Sequence, residues 1–173
     1  MINWHELFRY SDGKLFWKIS PKSQVKIGDE AGSLNCYGYL RVGLKRKEYR
    51  VHRIIYEMAY GSIPDLYQVD HVNGIRTDNR LDNLRLATRS QNQWNSCKRK
   101  NNTSGLKGVS WIKQQQKWQA QIAIFGKDKY LGLFATKEEA YAARLEAEKN
   151  YHGEFVPSED RKLGVFLNGG RDE

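Results

Sequence analysis

Between Gln68 and Gln91 the chain changes character three times, and few folds accommodate the result. Gln68–His71 reads as a short strand. Asn73–Asn83 is dominated by Asn, Asp, Gly and Arg. Asn, Asp and Gly favour turns, through left-handed tolerance or through side-chain hydrogen bonds to nearby backbone. Leu84–Ala87 is strand-like again. Thr88-Arg89-Ser90-Gln91 then fits a capping box, in which the Thr88 hydroxyl and the Gln91 amide satisfy each other's orphan backbone donors. The order predicted is strand, loop, strand, helix, with the helix running from Arg89 to about Ser96.

This segment also gathers polar residues poorly suited to a core. Asp70 precedes His71 on the first strand, Asn83 closes the loop, and Asn92 falls about one turn into the helix. Each buried polar group needs a partner, so such a set is better matched to a ligand. Folding the second strand onto the first would bring the helix across the hairpin, with Asp70 and Asn92 each offering one hard oxygen. That suits Mg²⁺, which keeps several waters and takes one or two protein ligands plus substrate phosphate. His71, on the other face of a regular strand, can serve as a ligand or as a base. Near neutral pH an imidazole is the natural group to take a proton from water. The implied chemistry is phosphodiester hydrolysis, with a base activating water and a metal polarising the phosphate. Structural readings stand beside this one. Asp-His pairs are common and usually structural, Asn79 and Asp82 read as turn formers, and Asn83 could simply cap the loop. Arg76, Arg80, Arg85 and Arg89 read as surface charges, although an arginine near a phosphate would help to bind it.

The other regions are simpler. Residues 1–50 read as short strands and turns: an aromatic-rich strand at Lys14–Ile19, a turn at Gly28–Gly32, an alternating strand at Tyr37–Leu44, and a possible partner at Glu48–Val51. A helix is predicted from about His52 to Tyr60, with Ile54, Ile55, Met58 and Ala59 inward and Gly61 as its stop. Beyond Cys97 three strand-like runs follow, Gly108–Ile112, Lys117–Phe125 and Lys129–Phe134, with turns at Gln114–Gln116 and Gly126–Asp128. Thr136-Lys137-Glu138-Glu139 is a second capping box. It opens a helix to about Tyr151 with Ala140, Ala143, Ala147 and Tyr151 on one face.

Composition narrows the partners. Of a formal net charge of +9, residues 98–135 supply +7, with eight Lys/Arg against one Asp/Glu. A basic block interleaved with aromatics and amides points to a nucleic-acid surface. Mean hydropathy is −0.77 and no apolar run approaches the length of a membrane helix. Cys36 and Cys97 stand alone, so neither a zinc finger nor a disulfide framework is expected and a cytosolic setting is the default.

Asp70-His71-x-Asn-Gly, then Asp78-Asn79-Arg80-Leu81-Asp82-Asn83-Leu84-Arg85, then Asn92, resembles the HNH homing endonucleases of phages and mobile introns. That resemblance implies a ββα-metal motif binding one divalent ion. It would make His71 the general base, Asp70 and Asn92 the metal ligands, and Asn83 the residue that bridges the loop and holds the first strand. Asn92 stands where many members have a final histidine. The run Val51-His52-Arg53 also looks like that branch, with His52 structural or DNA-facing.

Residues 105–153 resemble the AP2 DNA-binding domain almost end to end, through Gly105–Trp111, Lys117–Ile122, Lys129–Phe134, the Ala140–Ala147 helix and Tyr151-His152-Gly153. In that family a three-stranded antiparallel sheet lies in the major groove with a helix behind it. Strand parity agrees: Trp118, Ala120, Ile122 and Ile124 share one face, and Lys117, Gln119 and Gln121 share the other. Gln can read adenine edges, and Lys can contact phosphates or guanine.

The sequence therefore predicts an α+β chain of two modules. Residues 1–97 would form a nuclease domain, 98–104 a basic linker, 105–153 an AP2-like domain, and 154–173 a tail. The expected DNA-binding residues are Lys98, Arg99, Lys100, Trp111, Lys113, Lys117, Gln119 and Gln121. By resemblance the expected activity is a Mg²⁺-dependent (or Mn²⁺-dependent) homing endonuclease acting on double-stranded DNA in bacterial or phage-infected cytosol; the sequence does not fix the oligomeric state, and a monomer is favoured. The rival readings are a DNA-binding regulator with an inactive nuclease motif and an RNA-directed protein.

Overall fold

The computed structural model describes residues 2–95 and 102–155, which divide into two compact units after Thr88. The chain is α+β, built from small antiparallel sheets and few helices.

The first unit opens with α1 (Trp4–Leu7), which runs straight into β1 (Phe8–Ser11). Asp12-Gly13, both at positive φ, turn the chain into β2 (Lys14–Trp17), and β3 (Glu30–Ala31) completes that sheet. A second sheet follows in chain order: β4 (Ser33–Leu34), β5 (Leu40–Leu44) and β6 (Lys47–Arg50). Then comes α2 (Val51–Tyr60), ended by Gly61 at φ 85°. The unit closes with a hairpin of β7 (Tyr67–His71) and β8 (Leu84–Thr88), in the register Val69↔Leu86, Asp70↔Arg85 and His71↔Leu84. A 3-10 turn, Leu81–Asn83, leads into β8.

The core of this unit gathers around α2. Val51, Ile54 and Ile55 are buried on one stripe and meet Trp4, Phe8, Leu15, Trp17, Val42, Val69 and Leu84. At about 1.5–3 kcal/mol for each large apolar side chain removed from water, this cluster is the main force holding three small sheets together. Ala59, expected inward, is exposed. The inward stripe is Val51, Ile54/Ile55, Met58, and Ala59 lies just past its margin. The elements α1, β1, β3 and β4 are too short to produce a periodic sequence signal, and tertiary contacts fix them. The indole of Trp4, for example, donates to Glu57 at 2.6 Å.

The second unit begins with α3 (Arg89–Trp94). Its sheet has the order β11-β10-β9, formed by β9 (Val109–Ile112), β10 (Lys117–Ile124) and β11 (Lys127–Phe134). Phe125-Gly126, at φ 48° and 80°, form the two-residue hairpin turn. The turn therefore sits one residue earlier than expected, and Lys127 and Asp128 join the ladder opposite Ile124 and Ala123. Behind the sheet lies α4 (Lys137–Tyr151), and the Thr136/Glu139 capping box is formed as predicted. Ala140 and Tyr141 pack on Val109 and Ala120. Tyr151, expected on the inner face, is exposed, and its hydroxyl accepts from Lys129 Nζ at 2.6 Å. The buried positions on α4 that sequence did not single out are Tyr141, Arg144 and Glu148, the last two an ion pair of 2.6 Å one helical turn apart. The loop at Gly108 closes directly over that pair: a Cβ there would lie 2.5 Å from Arg144 Nε. Helix α3 is anchored by Trp94, which stacks on His152 with ring centroids 4.4 Å apart.

Candidate active site

The site is assembled on the β7–β8 hairpin and the loop between its strands. Register places Arg85 directly opposite Asp70, and the guanidinium donates to Asp70 Oδ2 through Nε and a terminal nitrogen, each at 3.1 Å. Both groups are largely removed from solvent. Sequence reading took Arg85 as a surface charge, yet a buried carboxylate needs a compensating cation and the opposite strand supplies it.

The loop from Val72 to Asn83 is tied internally at several points. Asn83 Oδ1 accepts from the backbone of Asn73 at 2.9 Å, and its amide donates to Asn73 Oδ1 at 3.0 Å and to the Asp78 carbonyl at 2.7 Å. One side chain thus bridges both ends of the loop. Asp78 accepts from Asn73 and holds Arg80 through two nitrogens at 2.9 and 2.8 Å. The Arg80 guanidinium holds the Asp78 carboxyl down to about 2. The β1–β2 hairpin packs on the same loop. A Cβ at Gly13 would lie 2.9 Å from the Arg80 amide nitrogen, and the Tyr10 hydroxyl accepts from the Leu81 amide.

This scaffold delivers Asn79 to His71. Asn79 is 1% exposed, and its Oδ1 lies 2.9 Å from His71 Nε2. His71 is also buried, with His52 edge-on to its ring at 4.9 Å and Tyr39 at 6.1 Å. Burial holds the His71 imidazole below its ordinary value, partly offset by Asn79 and by the Asp70 and Asp78 charges. The ring is therefore neutral near pH 7 and able to accept a proton. His52 is pushed down to about 3, first by burial and then by the neighbouring His71. At 2% exposure it is a buried neighbour of His71. Arg50 and Arg76 lie over the Tyr39 ring at 4.7 and 5.0 Å.

Sequence reading singled out Asp70, His71 and Asn83, which the structure places on the β7–β8 hairpin and its loop. It missed Asn79, Arg85, Tyr39 and the contact between the two histidines. Arg85 could have been found from the hairpin register. Asn79 sits in an irregular loop, where no periodicity reports which side chain turns inward. The other expected ligand, Asn92, is half-buried on α3, in the second unit. The donor chemistry suits Mg²⁺ or a similar ion: a carboxylate and an amide are hard oxygen donors. Among the described residues no group of three His, Cys, Asp or Glu side chains is placed to hold a metal ion.

Of the residues expected to meet DNA, Lys98, Arg99 and Lys100 lie outside the described residues. Lys113 and Lys117 are exposed. Gln119 and Gln121 lie side by side on the Lys117 face of β10, joined by a hydrogen bond of 3.2 Å. Trp111 is exposed but pairs with Trp118, which places it on the opposite face, the one that α4 covers.

A strand–loop–strand–helix segment that presents an acid and a neutral histidine from its first strand defines a class of nuclease-like sites. Residues 49–94 match the model described as HNH endonuclease. Protein 3.8 of Escherichia phage T7 is 38% identical over 109 residues, covering 62% of this chain and 88% of that protein. An uncharacterized HNH endonuclease of Acanthamoeba polyphaga mimivirus is 32% identical over 108 residues, covering 62% of this chain and 55% of the relative. Residues 49–94 of the chain thus form an HNH endonuclease domain. No solved structure matches it. The family suggests a nuclease acting on DNA and generally dependent on a divalent metal. Among the described residues no helix is long and apolar enough to cross a membrane.

Proposed function

We propose that this chain is a homing-type endonuclease that hydrolyses phosphodiester bonds in double-stranded DNA with Mg²⁺ or Mn²⁺. The observation that carries the reading is His71: a buried imidazole, held below its ordinary value by burial, next to Asp70 in the chain and hydrogen-bonded to Asn79 of the following loop. Asp70 and Asn92 would hold the ion. When bound it would polarise the scissile phosphate and offset charge on the leaving oxygen. His71 takes a proton from water, and the hydroxide so formed attacks phosphorus. The bond to the 3′ oxygen then breaks and that oxygen takes up a proton, leaving 3′-hydroxyl and 5′-phosphate ends. Asn83 keeps the loop, and with it the first strand, in place. Arg85 balances the Asp70 carboxylate across the hairpin.

Residues 105–153 would act as an AP2-type reader joined through the basic stretch 98–104, with residues 1–97 as the catalytic region. Support comes from the three-stranded antiparallel sheet backed by α4 and from the amide-and-lysine face of β10. Lys117, Gln119 and Gln121 would face the groove. Lys98, Arg99, Lys100 and Lys113 would track phosphates, and salt would weaken binding steeply. Trp111 would contribute from the sheet edge.

Incubating the purified chain with supercoiled plasmid from its source genome tests this. Cleavage should require Mg²⁺ or Mn²⁺ and stop with EDTA, and His71→Ala should lose at least about a hundredfold in rate, as for removal of a general base, while still shifting DNA in a gel. A wild-type protein that binds DNA but never cuts it under varied metals is instead a regulator with an inert nuclease fold.

A further inference from the structure

We propose that Asn79 is the positioning residue of the general base: its side-chain oxygen accepts from His71 Nε2 and so leaves the lone pair on Nδ1, the nitrogen that takes the proton from water. The inference rests on the nuclease reading above.

A neutral imidazole carries its proton on one nitrogen only, and a fixed acceptor at one of them selects the tautomer. Asn79 is a fixed acceptor. It is among the most completely buried side chains of the molecule, and its oxygen stands 2.9 Å from Nε2. Its neighbours in sequence are both held: the Asp78 carbonyl accepts from Asn83, and Arg80 is clamped to the Asp78 carboxylate. The β1–β2 hairpin covers the Asn79–Arg80 backbone so closely that only a glycine fits at position 13, which also lies at φ 78°.

The other half of the amide argues against a role in stability alone. Asn79 Nδ2 is buried and has no hydrogen-bond partner among the described residues. An unsatisfied buried donor costs stability, and an apolar side chain of similar shape would avoid that cost. What an apolar residue could not do is accept from Nε2.

The experiment uses the full chain labelled with ¹⁵N and reads the His71 tautomer by long-range ¹H–¹⁵N correlation. Beside it, single-turnover cleavage rate and DNA affinity are measured for wild type, Asn79→Leu and Asn79→Asp. Wild type should carry its proton on Nε2. Asn79→Leu should show mixed tautomers and lose roughly tenfold to a hundredfold in rate, as when an orienting partner behind a functional histidine is removed. Its affinity for DNA should be unchanged. Asn79→Asp, which keeps the acceptor oxygen, should recover most of the rate. A wild-type proton on Nδ1, or Asn79→Leu cutting at the wild-type rate, overturns the inference. So does an equal loss in both variants with the tautomer unchanged. The wild-type spectrum decides even if Asn79→Leu does not fold. A wild type that does not cut DNA at all instead removes the nuclease reading, and this inference with it.

Discussion

Each unit of this protein buries a polar cluster, and the two clusters are built in different ways. In the first unit Asp70, His71, Asn79 and Asn83 are held by an irregular loop, and their partners come from several places along the chain. In the second, Arg144 and Glu148 sit one turn apart on a single helix, so regular geometry brings them together. The helical pair is mutually neutralising and sealed. The loop cluster keeps a neutral histidine beside a carboxylate. A sealed ion pair contributes order to a core, whereas the second arrangement leaves chemistry available.

Three substitutions would break or sharpen that contrast. The largest effect is expected for Glu148→Ala, which strands a buried guanidinium. The loss should be about 3–5 kcal/mol in chemical denaturation followed by tryptophan fluorescence. Asn83→Ala removes three hydrogen bonds of the loop at once. It should cost about 2–3 kcal/mol in the same measurement, given about 1 kcal/mol for each bond, and should also slow cleavage. If Asn83→Ala is the more damaging of the two, the loop is the better-sealed cluster and the contrast is reversed. The smallest effect concerns His52. Its folded value, about 3, lies below the ordinary 6.5, so the unfolded chain binds the proton first. The stability it contributes is present above pH 6.5 and is lost as pH falls toward 3. The slope is about 1.4 kcal/mol per pH unit per proton. Between pH 6 and 4.5 the stability of His52→Gln should fall less steeply than that of wild type by about that amount.

Legibility followed regularity. The strands of the second unit, the α4 capping box and the inward parity of Trp118, Ala120 and Ile122 could be read because period and cap are local properties. In the first unit's cluster, Asp70, His71 and Asn83 were singled out in the sequence by their likeness to a family motif. Their partners were not. The backbone at Asn79 and Arg80 is packed against Gly13, 66 residues earlier in the chain, and no local pattern carries that information. Tyr151 failed for a related reason, since helical spacing placed it inward while Lys129 on β11 holds its hydroxyl outward. Arg144 and Glu148 were hidden because charge reads as surface until its partner is known.

The family signature spans residues 49–94, yet most of what surrounds α2 lies outside it: Trp4, Phe8, Leu15, Trp17 and Val42. The β1–β2 hairpin among them also rests on the loop that carries Asn79. The signature is thus not a portable cassette. Cut out at its sequence limits, it would keep Asp70, His71 and Asn83 but lose the wall against which they are set. A graft of this motif into another scaffold would have to bring the first seventeen residues, or an equivalent brace, with it.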